Sequence, residues 1–317
     1  MVYLIFRRIV ISLMLGVLMI AVSPTIAQDD TTNVITRPQP SQTFQQGVIT
    51  VDYYFETIPQ GGVGLIHVYG DTLQGVRTRF LDNVIEFFPA SDGYYGLLAV
   101  GMAQSPRLYD VSLVALLANE QSETFTLTVD VIQGAFIREE FSMPQNLVYL
   151  TSPEIERGEL ARLNAIFESV SEEVFWDNDG FDLPISTRTG SPFGSFRILN
   201  QNINTRHTGW DFSAGIGTPI LASASGTIAY TGLMDIRGNY VAIDHGYGIY
   251  TGYAHMSQIH VTRGQTVRAG QIIGVVGSTG RSSGAHLHWE MSIHQQWVDT
   301  LNFLNVWLPD LIETETD

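Results

Sequence analysis

Arg206-His207-Thr208-Gly209-Trp210-Asp211 opens the stretch that decides how this chain is read, and Gly284-Ala285-His286-Leu287-His288-Trp289-Glu290 closes it, with Tyr253-Ala254-His255-Met256 between. Four of the chain's eight histidines, and one aspartate, fall in these three segments. Imidazole and carboxylate together suit a borderline metal such as zinc. His286 and His288 are two apart among apolar neighbours, which is strand spacing, so both point to one face with rings roughly 7 Å apart. Two uses stay open for the pair: both hold one metal where the strand bends, or one ligates while the other reaches the metal's water. His207 and Asp211 are four apart, but Gly209 and the β-prone Trp-Asp-Phe oppose a helix, so a turn at Gly209 is the expected way to join them. Three protein ligands with an open fourth position make a catalytic rather than a structural zinc site.

Working outward, short apolar runs punctuated by glycine surround these segments. Strands are expected over residues 218–222, 226–232, 240–245, 248–255, 266–267, 272–276 and 286–293. Ser191-Pro192-Phe193-Gly194, Gly217-Thr218-Pro219-Ile220 with Gly226, Gly238-Asn239-Tyr240, Ile243-Asp244-His245-Gly246 and Gly277-Ser278-Thr279-Gly280-Arg281 accompany them in order. With these, residues 181–304 resemble the lysostaphin-type (LytM-like) zinc metallopeptidases, which cut peptidoglycan cross-bridges. The resemblance implies a duplicated hybrid motif fold, an antiparallel β groove. It implies one zinc ion per chain on His207, Asp211 and His288, with His255 and His286 as the two catalytic histidines. It also implies the chemistry: zinc lowers the pKa of its water to about 7 and polarises the scissile carbonyl. A histidine near pKa 6.5 then carries the proton to the leaving amine. His245 matches a turn rather than a ligand. The groove also resembles biotinyl and lipoyl carrier domains, but such carriers modify a lysine and this chain has none.

The rest of the chain sets the context. Residues 1–27 read as a signal peptide, with Arg7 and Arg8 before a 14-residue apolar run, too short for a span of about 20. Export to the periplasm, cell wall or exterior follows, with no stable membrane insertion after cleavage. Residues 28–46 read as a polar linker. Residues 47–144 carry short alternating strands with turn signals and read as an immunoglobulin-like β-sandwich accessory domain. Residues 145–180 read as a helical linker whose helix starts at Thr151, with Glu154 in capping-box spacing, and which docks one domain on the other. Residues 181–308 form the peptidase domain, and 309–317 a solvated acidic tail. The fold class is therefore mainly β. A net charge of −16 is a poor basis for binding nucleic acid. The function expected is hydrolysis of peptides in bacterial peptidoglycan, the alternative being a catalytically silent wall-binding regulator of other hydrolases.

Overall fold

Alternation of apolar and polar residues dictates the first layers. In Arg107–Leu117 every second residue from Val111 to Leu117 is buried and those between are exposed. Such a strand has one face for a core and one for water. The computed structural model, which describes residues 37–200 and 203–311, pairs it into one of two five-stranded sheets. One sheet runs Gln42–Gln46 (β1), Ile49–Tyr53 (β2), Val63–Tyr69 (β4), Gly93–Ala99 (β8) and Phe88–Ala90 (β7). The other runs Ile58–Pro59 (β3), Ser122–Ile132 (β10), Arg107–Leu117 (β9), Leu73–Phe80 (β5) and Asn83–Glu86 (β6). Ile49, Val51, Ile66, Leu98, Leu113, Phe125 and Val129 meet between them in one buried cluster. The chain is mainly β, as expected.

The C-terminal half is one nine-stranded sheet. Its path is Gly209–Ser213 (β14), His286–Ile293 (β21), Ile249–Ile259 (β18), Gly238–Asp244 (β17), Gly226–Met234 (β16) and Thr266–Val267 (β19). Pro219–Leu221 (β15), Ile272–Val276 (β20) and Gln296–Val298 (β22) pair off that path. A smaller sheet joins Arg138–Phe141 (β11), Phe196–Leu199 (β12) and Ile203–Arg206 (β13). Leu65, Tyr95 and Leu97 share a buried cluster with Ile249, Met291 and Phe303, so apolar packing runs from the sandwich into the large sheet.

Helix Pro153–Phe167 (α1) departs in detail from the sequence expectation. Its N-cap is Ser152, whose Oγ accepts from the Glu154 N–H at 3.2 Å. Thr151 belongs instead to the preceding 3-10 turn Gln145–Thr151 and donates to the Val148 carbonyl. Pro153 then takes the first helical position, where its missing N–H costs nothing. The helix lays Leu163 and Phe167 on Met234, Tyr240, Ala242 and Tyr250 of the large sheet.

Three other expectations change. Residues 42–46, read as linker, form β1 and pair with β2 from Gln42↔Tyr53 to Gln46↔Ile49. The tail is not solvated throughout: Pro309 is buried and Leu311 bridges Ala90. Gly209 is no turn but the first residue of β14. A Cβ there would lie 2.2 Å from the Trp289 carbonyl oxygen, so glycine permits the close approach of β14 to β21. The signal-peptide reading and the acids Glu313, Glu315 and Asp317 lie outside the described residues. Among those described, no helix is long and apolar enough to cross a membrane.

Candidate metal centre

Strand pairing brings the sequence-distant segments together. In β14 and β21 Asp211 stands opposite His288, and in β18 and β21 Ala254 stands opposite His288. His286, His288 and Glu290 alternate along β21 and share a face. His207 lies in the bend between β13 and β14. His255 lies within a register shift between β17 and β18 and has φ +60°, a left-handed backbone rare for a side-chain-bearing residue. The bulge re-aims a side chain that a regular strand would point elsewhere.

Three donor atoms converge. His207 Nε2 lies 2.8 Å from His288 Nδ1, and each lies 3.0 Å from Asp211 Oδ1. The other nitrogen of each ring is committed outward. His207 Nδ1 donates to the Pro192 carbonyl at 2.8 Å, and His288 Nε2 donates to Glu290 Oε2 at 3.0 Å. With those protons placed outward, two lone pairs and a carboxylate oxygen face one another, an arrangement a cation relieves. Both rings are nearly sealed, His207 at 2% and His288 at 6% exposure. Burial pushes His207 down to about 4 against the pull of Asp211. Burial would raise the Asp211 carboxyl, but His207, His288 and Arg197 hold it well below the usual carboxylate range. Burial works the other way on His288, where the hydrogen bonds with Asp211 and Glu290 prevail and raise it. The group fits a metal ion: His207, Asp211 and His288 offer one ligand atom each, all within 4.8 Å of one another.

His255 and His286 stand beside this group, their ring centroids 4.6 Å apart. Each has Nδ1 on a backbone carbonyl at 2.8 Å, Thr279 for His255 and Gly284 for His286. A carbonyl only accepts, so Nδ1 carries a proton in each ring and Nε2 is the nitrogen left to act as acceptor. Burial first, then His286 and His288, hold His255 well below its usual pKa and hence neutral. His286 Nε2 lies 3.7 Å from Asp211 Oδ1. The structure thus brings all five sequence-predicted residues into one place.

Strand parity places Glu290 on the face of the histidine pair, whereas the residues that hold it were not revealed by spacing. Glu290, fully buried, accepts from Thr208 Oγ1 at 2.6 Å and from Tyr240 at 2.8 Å. Arg237 grips the same carboxylate with Nε at 2.6 Å and Nη2 at 2.7 Å, a bidentate fork. Glu159 of α1 accepts from Arg237 Nη1 at 2.9 Å and from the Ile236 N–H at 2.6 Å. A chain of buried charge therefore runs from α1 through Arg237 and Glu290 to His288. On the far side, Arg197 of β12 donates to Asp211 Oδ2 at 2.5 Å. The loop over residues 176–190 meets β14 at its end, where the Gly190 N–H donates to the Asp211 carbonyl at 2.7 Å. His245 is no part of the site: it is buried, on the Ser225 carbonyl and Thr251 Oγ1.

Comparison with known proteins agrees with this geometry. Residues 205–300 match peptidase family M23. The DD-carboxypeptidase/endopeptidase Mpg of Neisseria meningitidis serogroup B is 43% identical over 146 residues, 45% of this chain and 33% of that protein. The peptidoglycan DD-endopeptidase ShyA of Vibrio cholerae is 43% identical over 95 residues, 30% of this chain and 22% of that protein. The chain thus spans a third or less of the length of these curated relatives. A solved structure, a candidate M23 peptidase of Pseudomonas aeruginosa, superposes with a TM-score of 0.61 at 25% identity, covering 80% of this chain and 97% of that one. Residues 205–300 thus carry a peptidase family M23 domain.

Proposed function

We propose that the chain is an exported, zinc-dependent endopeptidase that hydrolyses peptide bonds of bacterial peptidoglycan, with residues 181–308 as its catalytic domain. The observation that carries this is the convergence of His207 Nε2, Asp211 Oδ1 and His288 Nδ1, with the second nitrogen of each ring already committed to an acceptor. These three residues would hold the zinc. Zinc, when bound, supplies Lewis acidity toward a carbonyl oxygen and a water of lowered pKa. The names of the Neisseria and Vibrio relatives supply the substrate class.

The chain's own residues do the rest. His255 and His286 each present a bare Nε2, held in position by the Nδ1–H bond to a backbone carbonyl. Such a nitrogen accepts a proton as water adds to the scissile carbonyl and returns it to the leaving amine as the C–N bond breaks. Arg197 and Glu290 orient Asp211 and His288 from behind, which fixes the ligand geometry before any cation arrives.

The test is digestion of purified peptidoglycan by the protein with and without a chelator, reading new amine ends by mass spectrometry. Chelator-sensitive amines are expected. His288→Ala is expected to lose both zinc and activity, and zinc retained at one per chain would overturn the ligand assignment. His286→Ala is expected to lose turnover but keep zinc. Zinc bound with no amine released by the unaltered protein would favour the silent wall-binding regulator.

A further inference from the structure

Strand β11 lies in the stretch that reads in sequence as the accessory domain, outside the residues 205–300 that match family M23. It nevertheless sends a side chain to the back of the metal group. It runs parallel to β12 with Glu139 directly opposite Arg197. Backbone bonds fix the pairing at both ends, from the Phe196 N–H to the Ile137 carbonyl and from the Asn200 N–H to the Phe141 carbonyl, each 2.9 Å. Residues two apart share a face of a strand, so Phe141 stands on the same side as Glu139. Its ring centroid lies 5.2 Å from the Arg197 guanidinium carbon. Glu139 Oε2 accepts from Ser191 Oγ and stands 3.9 Å from Arg197 Nε, an ionic contact longer than a hydrogen bond. That Nε is buried and has no acceptor among the described residues. Both neighbours of Glu139 lead to metal-binding residues. Arg197 Nη2 donates to Asp211 Oδ2, which leaves Oδ1 as the oxygen turned to His207 and His288. Ser191 Oγ lies 3.5 Å from His207 Nδ1, and the Ser191 carbonyl accepts from the Asp211 N–H at 3.0 Å.

We propose that Glu139 is a positioning residue of the metal centre, so that part of the metal affinity comes from a strand outside the family-matched domain. This rests on the metal-binding part of the reading above. Arg197 lies between two carboxylates, and its planar fork can satisfy either one. With Glu139 on its Nε side, Arg197 meets Asp211 through one nitrogen and one oxygen. Without Glu139 the fork is free to turn and take both Asp211 oxygens, which draws Oδ1 away from the histidines. The side chains of Glu139 and Arg197 are each only 20% exposed, so water is a poor substitute for either partner.

The experiment measures the zinc affinity of the full chain by competition with a chromophoric chelator, and the visible spectrum of the same chain loaded with cobalt(II). Contacts that support metal ligands carry roughly 10–100-fold in affinity, and Glu139 acts at one remove, so Glu139→Gln is expected to weaken zinc about ten-fold and to alter the cobalt bands. Glu140→Gln removes the same charge from the exposed neighbouring position and is expected to change neither. Glu139→Asp keeps the charge but draws it back by one methylene, and is expected to recover part of the affinity. With Arg197→Gln already in place, Glu139→Gln is expected to cost much less than its own ten-fold, because the two act through one contact. Unchanged zinc affinity and cobalt spectrum in Glu139→Gln overturn the proposal, as does no recovery in Glu139→Asp or full additivity with Arg197→Gln. Lower stability in urea with the zinc affinity of the folded chain unmoved overturns it too, since Glu139 is then only structural. If the unaltered chain takes up no zinc, the metal assignment fails and the proposal falls with it. If it takes up zinc in a Glu139-dependent way but cuts no peptidoglycan, the proposal stands and the peptidase reading falls.

Discussion

Two interiors of this molecule are made of opposite materials. Between the sandwich sheets, Val111, Leu113 and Ala115 meet Phe125, Leu127 and Val129 in an apolar cluster. Behind the metal group, Glu159, Arg237, Glu290 and His288 are just as deeply buried, and each is held by the next. Burial in the first is additive, because each methylene leaves water on its own account. In the second it is conditional. Every buried charge is tolerable only while its partner is present, and removing one partner leaves the other desolvated and alone.

Arg237→Leu is the sharpest way to break that contrast. It leaves Glu159 and Glu290 buried without their cation, and a loss of about 3–5 kcal/mol in urea unfolding of the metal-free protein is expected, with zinc affinity lost as His288 loses its support. Leu113→Ala, in the fully buried centre of the sandwich, is expected to cost a comparable ~2–5 kcal/mol yet leave the zinc affinity of the folded chain unchanged. Stability unmoved by Arg237→Leu would mean that the charges do not depend on one another. Zinc affinity weakened by Leu113→Ala would mean that the two interiors are not separate.

The same contrast explains what the sequence disclosed. Apolar interiors announce themselves through period: Phe125 to Val131 alternates in sequence as it does in the sheet. Leu73–Phe80 escaped because only Val76, Thr78 and Phe80 face inward, and the threonine breaks the apolar rhythm. The five metal-site residues were legible because their spacing and family resemblance travel together. Arg237, Glu159 and Arg197 were not. Glu159 sits on a helix and Arg237 in a turn 78 residues later, and no periodicity connects a charge to a partner supplied by tertiary packing. Arg206 stood inside the opening motif, but nothing local indicated that its guanidinium lies between the rings of Phe136 and Phe196.

Acid sharpens the comparison at a site away from the metal. Burial pushes His245 down to about 4, and the ring is neutral in the fold. In the unfolded chain it titrates near 6.5. As pH falls below that value the unfolded state takes up a proton that the folded state refuses. The stability is therefore whole above about 6.5 and is lost progressively toward about 4, by at most ~3 kcal/mol. His245→Gln in the metal-free protein should flatten unfolding free energy against pH across that window, whatever its cost at neutral pH. An unchanged slope would show that His245 takes up its proton in the folded state as readily as in the unfolded one.

The smallest expected effect isolates burial from bond geometry. Arg77 and Glu86 form a fork much like that of Arg237 and Glu290, with Nη2 to Oε1 at 2.8 Å and Nε to Oε2 at 3.2 Å, but the Arg77 side chain is 64% exposed. Water there solvates either partner left alone, and salt screens their attraction. Arg77→Gln should shift stability by less than about 1 kcal/mol, and the shift should shrink further in molar salt. If it costs as much as Arg237→Leu, the fork itself is the source of stability. If it costs little, the conditional character of the metal-side interior comes from desolvation.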